Sequence, residues 1–240
     1  MACSILFLFI ALDSSAEPRR IQGPANILDS QLRAASPNNN YGATVTFSVQ
    51  LSSYVSLLGM YNLRDSLGDG YRITAAFCSL FCSVNSDPGA IRCYKGLKPF
   101  YEGGGDNTPA GTNECSWNDW AAADSEWNTA GVGMAGDDST YNHWDDNGAD
   151  RKATDFARLD INGAGWYSFN IDTSIVNRWY NGESWPVAFI SDSTDAINCS
   201  FRSSEHSSTS QRPIIWLTYE ATSPSGARRR KSVTSSIFDE

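Results

Sequence analysis

Apolar and polar residues alternate with a period of two in several short segments of this chain. Residues 44–51 read Thr-Val-Thr-Phe-Ser-Val-Gln-Leu, and residues 165–171 repeat the pattern. This alternation is typical of half-buried β-strands, whose successive side chains point to opposite faces of the sheet. Turn-forming clusters of Gly, Asp, Asn and Pro separate the apolar runs. The remaining runs predict strands at residues 56–63, 72–84, 91–97, 185–191 and 214–219.

A short helix is expected among these strands. Asp172 or Thr173 can cap a helix that runs through Trp179, because both side chains accept hydrogen bonds from backbone N–H groups of a first turn. Many short strands with long polar connections predict an all-β fold, an antiparallel β-sandwich. A chain of 240 residues can form one large domain of this class or two small ones.

The two ends of the chain differ from its middle. Residues 1–26 are interpreted as an apolar N-terminal arm or a signal-like segment, although no Lys or Arg precedes the apolar run 5–12. That run is too short to cross a bilayer as a helix, so no transmembrane segment is expected. Residues 27–220 are assigned to the β-sandwich and residues 221–240 to a flexible, basic, Ser-rich tail.

The charge balance disfavours one class of partner. The formal net charge is −9, and the tail contributes four basic and two acidic side chains, so the remaining body carries −11. A body this acidic repels phosphate backbones, and nucleic acid is therefore not expected as a partner.

Residues 97–132 combine a glycine- and acid-rich composition with three tryptophans. Such a composition favours loops, yet loops seldom contain so many large rings. One interpretation is that the rings pin the loop over the β-core. The other is that they face outward as a platform for sugar rings, with four candidate ligand-binding residues: Trp117, Trp120, Trp127 and Trp144.

Cysteine and acidic residues offer two further candidate sites. The six cysteines contain no C-x-x-C pair, and only two histidines are present, so a zinc site has little support. Cys78 and Cys82 are expected on one sheet face, either as buried thiols or paired across strands with Cys93, Cys115 or Cys199. No cofactor is firmly implied, but a structural calcium ion or a solvated loop would explain the crowded carboxylates of Asp137, Asp138, Asp145 and Asp146.

Catalysis finds no support in the arrangement of acids and nucleophiles. A glycosidase needs two carboxylates at a set separation, one of them in an apolar pocket. The candidate carboxylates all lie in polar, glycine-rich sequence: Glu102, Asp119, Asp124 and Glu126. Nucleophilic catalysis has no better support, because no Gly-x-Ser-x-Gly elbow occurs and His206 has no evident orienting acid. The protein is therefore not expected to be an enzyme. Arg202 with Glu205, and Arg178 beside Trp179, are interpreted as structural braces.

Several motifs occur in a characteristic order between residues 27 and 220. They are Asn39-Asn40-Tyr41-Gly42, Leu97-Lys98-Pro99-Phe100 with Glu102, Ser116-Trp117-Asn118, Phe169-Asn170-Ile171-Asp172-Thr173, Phe201-Arg202-Ser203-Ser204-Glu205, and Arg212-Pro213 before a last strand. In this order they resemble the DNRLRE-domain family, which overlaps with alginate-type carbohydrate-binding modules. The resemblance implies a jelly-roll-like antiparallel β-sandwich with a non-catalytic role in secreted, cell-surface or phage-particle proteins. The chain departs from the family in having Phe100 where tryptophan is common, and in its number of cysteines.

Two functions remain, and both are non-catalytic. The first is a structural subunit on the exterior of an assembly, such as a virion decoration or appendage subunit, whose terminal arms contact neighbouring subunits. The second is a secreted or cell-surface module that binds polysaccharide through loop aromatics, although the acidic body disfavours an anionic glycan. Either function places the protein outside the cell, on a virion surface or secreted. The structural function is preferred because it accounts for both arms.

Overall fold

The computed structural model describes residues 18–61, 63–121, 125–127, 130–133, 151, 155–192 and 196–222. Within these ranges the chain is built mainly of β-strands: β1 (Arg19–Gln22), β2 (Ile27–Arg33), β3 (Asn39–Asn40), β4 (Thr46–Gln50), β5 (Tyr54–Met60), β6 (Tyr71–Asp87), β7 (Gly89–Lys95), β8 (Thr108–Pro109), β9 (Asp119–Ala121), β10 (Ser125–Glu126), β11 (Ala157–Ile161), β12 (Gly165–Asn170), β13 (Val187–Ser191), β14 (Asn198–Arg202) and β15 (Ile214–Ala221). The short helical segments are α1 (Leu63–Leu67), α2 (Ala130–Gly133), α3 (Thr173–Tyr180) and a 3₁₀ turn (Thr209–Gln211).

Eleven of these strands form one antiparallel sheet that curls into a sandwich. The order is β1-β15-β6-β14-β4-β5-β13-β7-β11, with β12 also paired to β6 and β2 to β5. Two separate pairs, β9 with β10 and β3 with β8, form small additional ribbons. The predicted all-β sandwich is therefore confirmed.

Strand β6 connects much of the sheet because of its length. Its 17 residues pair with β15 and then with β14 on one side, and with β12 on the other. A register shift at Ser200/Phe201 lies next to the change of partner, and another, at Thr218/Tyr219, lies within the pairing of β6 with β15. Alternate residues Cys78, Leu80 and Cys82 enter the core, as the period of two predicts.

The middle of the sheet is covered on both faces. Leu58 and Met60 of β5 face the larger core cluster, whereas Val55 and Leu57 face a second cluster that includes Phe100 and Trp127. Strand β13 is divided in the same way, since Val187 and Phe189 belong to the larger cluster and Ala188 and Ile190 to the second. The loop between β7 and β9 thus covers the outer face of these strands, and this burial explains why β5 and β13 read as continuous apolar runs.

One glycine allows this cover to approach the sheet. A Cβ atom at Gly59 would lie 2.7 Å from Cε1 of Phe100, which is closer than a real carbon contact. The absent side chain leaves room for the fully buried Phe100 ring on the outer face of β5.

Most predicted elements lie close to their observed positions. Strands occur within or near every predicted segment, and helix α3 has Asp172 as its N-cap. Two boundaries differ: the strand expected at residues 56–63 ends at Met60, before α1, and β1 lies inside the segment assigned to the N-terminal arm. Because β1 pairs with β15 from Arg19↔Leu217 to Gln22↔Ile214, the sandwich begins before residue 27. Among the described helices, none is long and apolar enough to span a membrane.

The five described cysteines are free thiols with fully buried side chains. Cys78 and Cys82 share the core-facing side of β6, as their spacing predicts. Of the two alternatives left open by the sequence, these five residues follow that of buried thiols. Burial raises the pKa of the Cys93 thiol well above its usual value.

Candidate functional site

Side chains on the outer side of β6 form an exposed aromatic surface. Phe77, Ser79 and Phe81 alternate with the core residues of this strand and point away from the core. The registers of the neighbouring strands bring further side chains to the same side. We name this surface the aromatic face, and it consists of Arg20, Gln22, Phe77, Ser79, Phe81, Trp166, Ser168, Asn170, Ile214 and Trp216.

The rings of the aromatic face lie in two cross-strand pairs. Phe77 stacks on Trp216 with ring centroids 6.0 Å apart and an interplanar angle of 16°. Phe81 meets Trp166 edge to face with centroids 5.4 Å apart. Trp166 is 45% exposed and Phe77 is 38% exposed. Exposed large rings grouped in this way mark a surface on which a partner can bury apolar area.

The polar groups between the rings are neutral or basic. The Ser79 and Ser168 hydroxyls hydrogen-bond to each other at 2.7 Å, and Gln22 Nε2 donates to the carbonyl oxygens of Thr209 and Arg212. Arg20 donates to Gln22 Oε1 at 2.8 Å. No carboxylate occurs among the ten residues of the aromatic face, although the chain carries a net charge of −9.

The residue pattern alone does not single out this surface. Residues 75–82 are mostly apolar, so Phe77 and Phe81 cannot be distinguished by hydrophobicity from the core residues Cys78 and Leu80. Ser79 is the available signal, because a polar residue at that position indicates which alternating set faces outward.

The loop tryptophans of the sequence prediction lie in or against the second core cluster. Trp127 is only 4% exposed and its Nε1 donates to the Ser116 carbonyl at 3.0 Å. The Trp117 ring fits against Gly131, where an added Cβ would lie 2.7 Å from Cζ2. Trp120 packs against the cluster and stacks on Tyr101 with centroids 6.4 Å apart. The Trp127 ring is therefore too buried to take part in the predicted sugar-binding platform. An exposed ring in this region is that of Tyr101, which is 45% exposed.

The predicted braces have different outcomes. Arg178 makes an ion pair with Glu183 and lies over the Trp185 ring at 3.7 Å, so it braces the end of α3. Arg202 makes no ion pair with Glu205 in the described part of the chain, and its buried Nε has no hydrogen-bond partner there. The expected Arg202–Glu205 brace is corrected, because the Glu205 carboxylate instead lies beside two other carboxylates, Asp29 and Glu102.

The remaining acidic and basic candidates lie apart from one another. Asp119 Oδ2 accepts a hydrogen bond from the Ser116 hydroxyl at 2.9 Å, and Glu126 is exposed. His206 Nδ1 accepts from the Ser208 backbone N–H at 3.1 Å. These contacts stabilise local turns. The candidates Trp144, Asp124, Asp137, Asp138, Asp145 and Asp146 lie outside the described residues.

Comparisons of the sequence with protein-family models and with curated proteins found no match. The resemblance to the DNRLRE-domain family therefore stays a prediction that rests on the motifs alone.

Proposed function

We propose that the protein is a non-catalytic structural subunit on the exterior of an assembly, such as a virion decoration or an appendage, and that copies of the chain bind one another through the aromatic face. The observation that carries this proposal is an exposed aromatic surface without carboxylates on a chain of net charge −9. Cores of protein interfaces are enriched in aromatic residues and depleted in acidic ones.

Charge favours a second copy as the occupant. Two acidic bodies repel each other over most of their surfaces, and a stable contact needs a region where the repulsion is small. The aromatic face meets this requirement, since its only charged residue is Arg20. Its hydroxyl groups Ser79 and Ser168 already satisfy each other, so burying them in a contact leaves few polar groups unpaired.

The first and last described strands, β1 and β15, are paired beside this face. In this antiparallel pair, the start of β1 and the end of β15 lie at the same end of the two strands. Both strands also contribute residues to the aromatic face. Both terminal arms are proposed to contact the neighbour that the aromatic rings bind.

The size of the surface indicates the kind of assembly. Four strands spaced about 4.8 Å apart and five residues long cover roughly 300 Å². A stable isolated complex buries about 800 Å² on each partner. One aromatic contact is therefore weak by itself, and the proposed subunit depends on several simultaneous contacts within an assembly.

Sedimentation velocity of the full chain, from micromolar to near-millimolar concentration, tests the proposal. We expect reversible self-association of the wild type, and a weakening of about tenfold or more in the variant Phe77→Ser/Trp166→Ser, because interface energy is concentrated in a few buried rings. The matched control is Val45→Ser/Leu51→Ser, which removes apolar side chains that are exposed elsewhere.

The control should associate as the wild type does. A wild type that stays monomeric over the whole range would refute the proposal, and so would equal weakening in both double variants.

The polysaccharide alternative is supported by a separate observation, the exposed Tyr101 ring stacked on Trp120. If sugars stack on this pair, Tyr101→Ala should lose retention in gels that contain neutral polysaccharide while its melting temperature stays unchanged. Trp120→Ala tests whether that ring only packs against the core. If so, its removal should lower the melting temperature without changing retention. Loss of retention confined to Phe77→Ser/Trp166→Ser would assign sugar binding to the aromatic face instead.

A further inference from the structure

Three carboxylates from distant parts of the chain lie together, with Asp29 buried and the other two half-buried. Asp29 lies on β2 and is 1% exposed, Glu102 lies in the loop after β7, and Glu205 follows β14. One side-chain oxygen of each lies within 4.8 Å of the other two. We name these three residues the carboxylate triad.

Backbone contacts hold the triad in place. The Asp29 backbone N–H donates to Glu102 Oε1 at 2.5 Å, and the Ser204 backbone N–H donates to Asp29 Oδ2 at 2.7 Å. The Ser204 hydroxyl donates to Glu205 Oε1 at 2.7 Å. Each carboxylate thus accepts a hydrogen bond through one oxygen, and for Glu205 the second oxygen, Oε2, has no partner in the described part of the chain.

Ion pairs do not balance this charge. Among the described residues, no lysine or arginine makes an ion pair with any member of the triad, and Arg212 acts on Glu205 only from beyond ion-pair distance. Carboxylates this close together either keep protons or bind a cation.

A buried hydroxyl beside the triad points to a cation. Ser203 is fully buried, and in the described part of the chain its Oγ makes no hydrogen bond of good geometry, although the hydroxyl faces the Glu205 carboxyl and lowers its pKa as a donor. Glu205 Oε2 is likewise buried and without a partner. Unpaired buried oxygens are costly, and a metal ion would bind both.

We infer that Asp29, Glu102 and Glu205 bind a divalent cation, with Ser203 as a neighbouring oxygen donor, and that the site selects Ca²⁺. A point exists within about 2.8 Å of three atoms that are at most 4.8 Å apart. Ca²⁺ binds oxygen at about 2.3–2.6 Å, whereas Mg²⁺ needs about 2.0–2.1 Å in a strict octahedron. Small movements of the side chains therefore suffice for Ca²⁺, and the all-oxygen donor set is the one that it prefers.

The geometry also gives the ion a structural role. Asp29 and Glu102 are 73 residues apart in the chain, and Ser204, which bonds to Asp29, is 175 residues from it. An ion bound by the triad cross-links strand β2, the covering loop and the segment after β14. It stabilises the folded state because it binds that state alone.

The experiment measures calcium content and melting temperature of the full chain after dialysis against CaCl₂, MgCl₂ or EDTA. We expect the wild type to hold one more calcium ion per chain than Glu102→Gln, and to melt about 5–10 °C higher in calcium at a hundredfold excess over Kd than in EDTA. In calcium the wild type should melt above Glu102→Gln, whereas in EDTA, where no ion is bound, the two should melt at similar temperatures.

Two controls separate this site from other carboxylates. Glu126→Gln changes an exposed carboxylate and should behave as the wild type. A variant with Asp137, Asp138, Asp145 and Asp146 all changed to asparagine should keep the triad's calcium ion.

Loss of all bound calcium in that fourfold variant would show that the ion binds to these four aspartates, and it would overturn the assignment to the carboxylate triad. Equal calcium content in the wild type and Glu102→Gln would do the same. A wild type whose melting temperature does not respond to calcium would show that the carboxylates keep protons instead.

Discussion

The Asn40 side chain is fully buried and joins four backbone groups. Its Nδ2 donates to the carbonyl oxygens of Glu102 at 2.5 Å and Cys115 at 2.9 Å, and its Oδ1 accepts from the N–H groups of Gly42 and Gly105 at 3.1 and 2.8 Å. This amide helps to hold the loop that carries Glu102 against β3, in addition to the pairing of β3 with β8.

Asn40→Ala should therefore destabilise the protein by about 3–5 kcal/mol, because four backbone groups lose a partner in a buried site. Urea unfolding measures the change. The adjacent Asn39→Ala is the control: its amide bonds only to Asn107 at the surface, so a loss below about 1 kcal/mol is expected. A similar decrease in the free energy of unfolding in the two variants would show that the buried Asn40 hydrogen bonds stabilise the protein no more than the exposed ones of Asn39.

At the residue scale, sequence reasoning found members of the sites but not their partners. Sequence patterns indicate Glu102 as a candidate acid and Glu205 as the partner of Arg202. For Asp29 they predict neither a strand nor a site. Contacts between residues 73 or more positions apart depend on the curl of the sheet, which no local pattern specifies. The tryptophans were found, but their burial depends on β5 and β13 having two covered faces.

At the scale of single elements, helix α3 shows how far local chemistry predicts structure. Asp172 Oδ1 accepts hydrogen bonds from the Ser174 N–H at 2.8 Å and from its hydroxyl at 2.7 Å, as expected of an N-cap. Ile175, Val176, Trp179 and Tyr180 are buried on one side of the helix. The helix was predictable because capping and periodicity are both local.

Asp172→Ala should lower the free energy of unfolding by about 1 kcal/mol, since the N-cap acceptor is lost. Asp172→Ser retains an acceptor and should recover most of the loss. Chemical denaturation of the two variants makes the comparison, and equal destabilisation by Ala and Ser would contradict a capping role.

Strands were also predictable where their patterns are regular, and less so at the edges. β1 has four residues, two of them exposed arginines, and β11 presents Arg158 and Asp160. Short, charged edge strands resist pairing with other chains. Because the same features remove the hydrophobic signal, no local pattern of residues indicates either strand.

At the scale of the whole molecule, net charge sets the conditions for self-association. With −9 on each chain, long-range repulsion opposes the contact of two aromatic faces. Salt screens this repulsion over a Debye length of about 10 Å at 0.1 M and leaves apolar burial intact.

Self-association should therefore strengthen as NaCl is raised from low to physiological concentration, and sedimentation equilibrium can measure the change. A contact made by ion pairs, for example between a basic tail and an acidic body, would weaken over the same range. The direction of the salt effect thus distinguishes the aromatic face from the tail as the main source of association.

The pairing of β1 with β15 has a consequence for the connectivity of the chain. Pro18 precedes β1 and Thr222 follows β15 at the same end of these neighbouring strands, so a short linker could join them without disturbing any strand pair. New ends could then be opened at an exposed turn such as residues 162–164, between β11 and β12. The strand pairing of the sandwich therefore does not depend on the chain beginning at β1 and ending at β15.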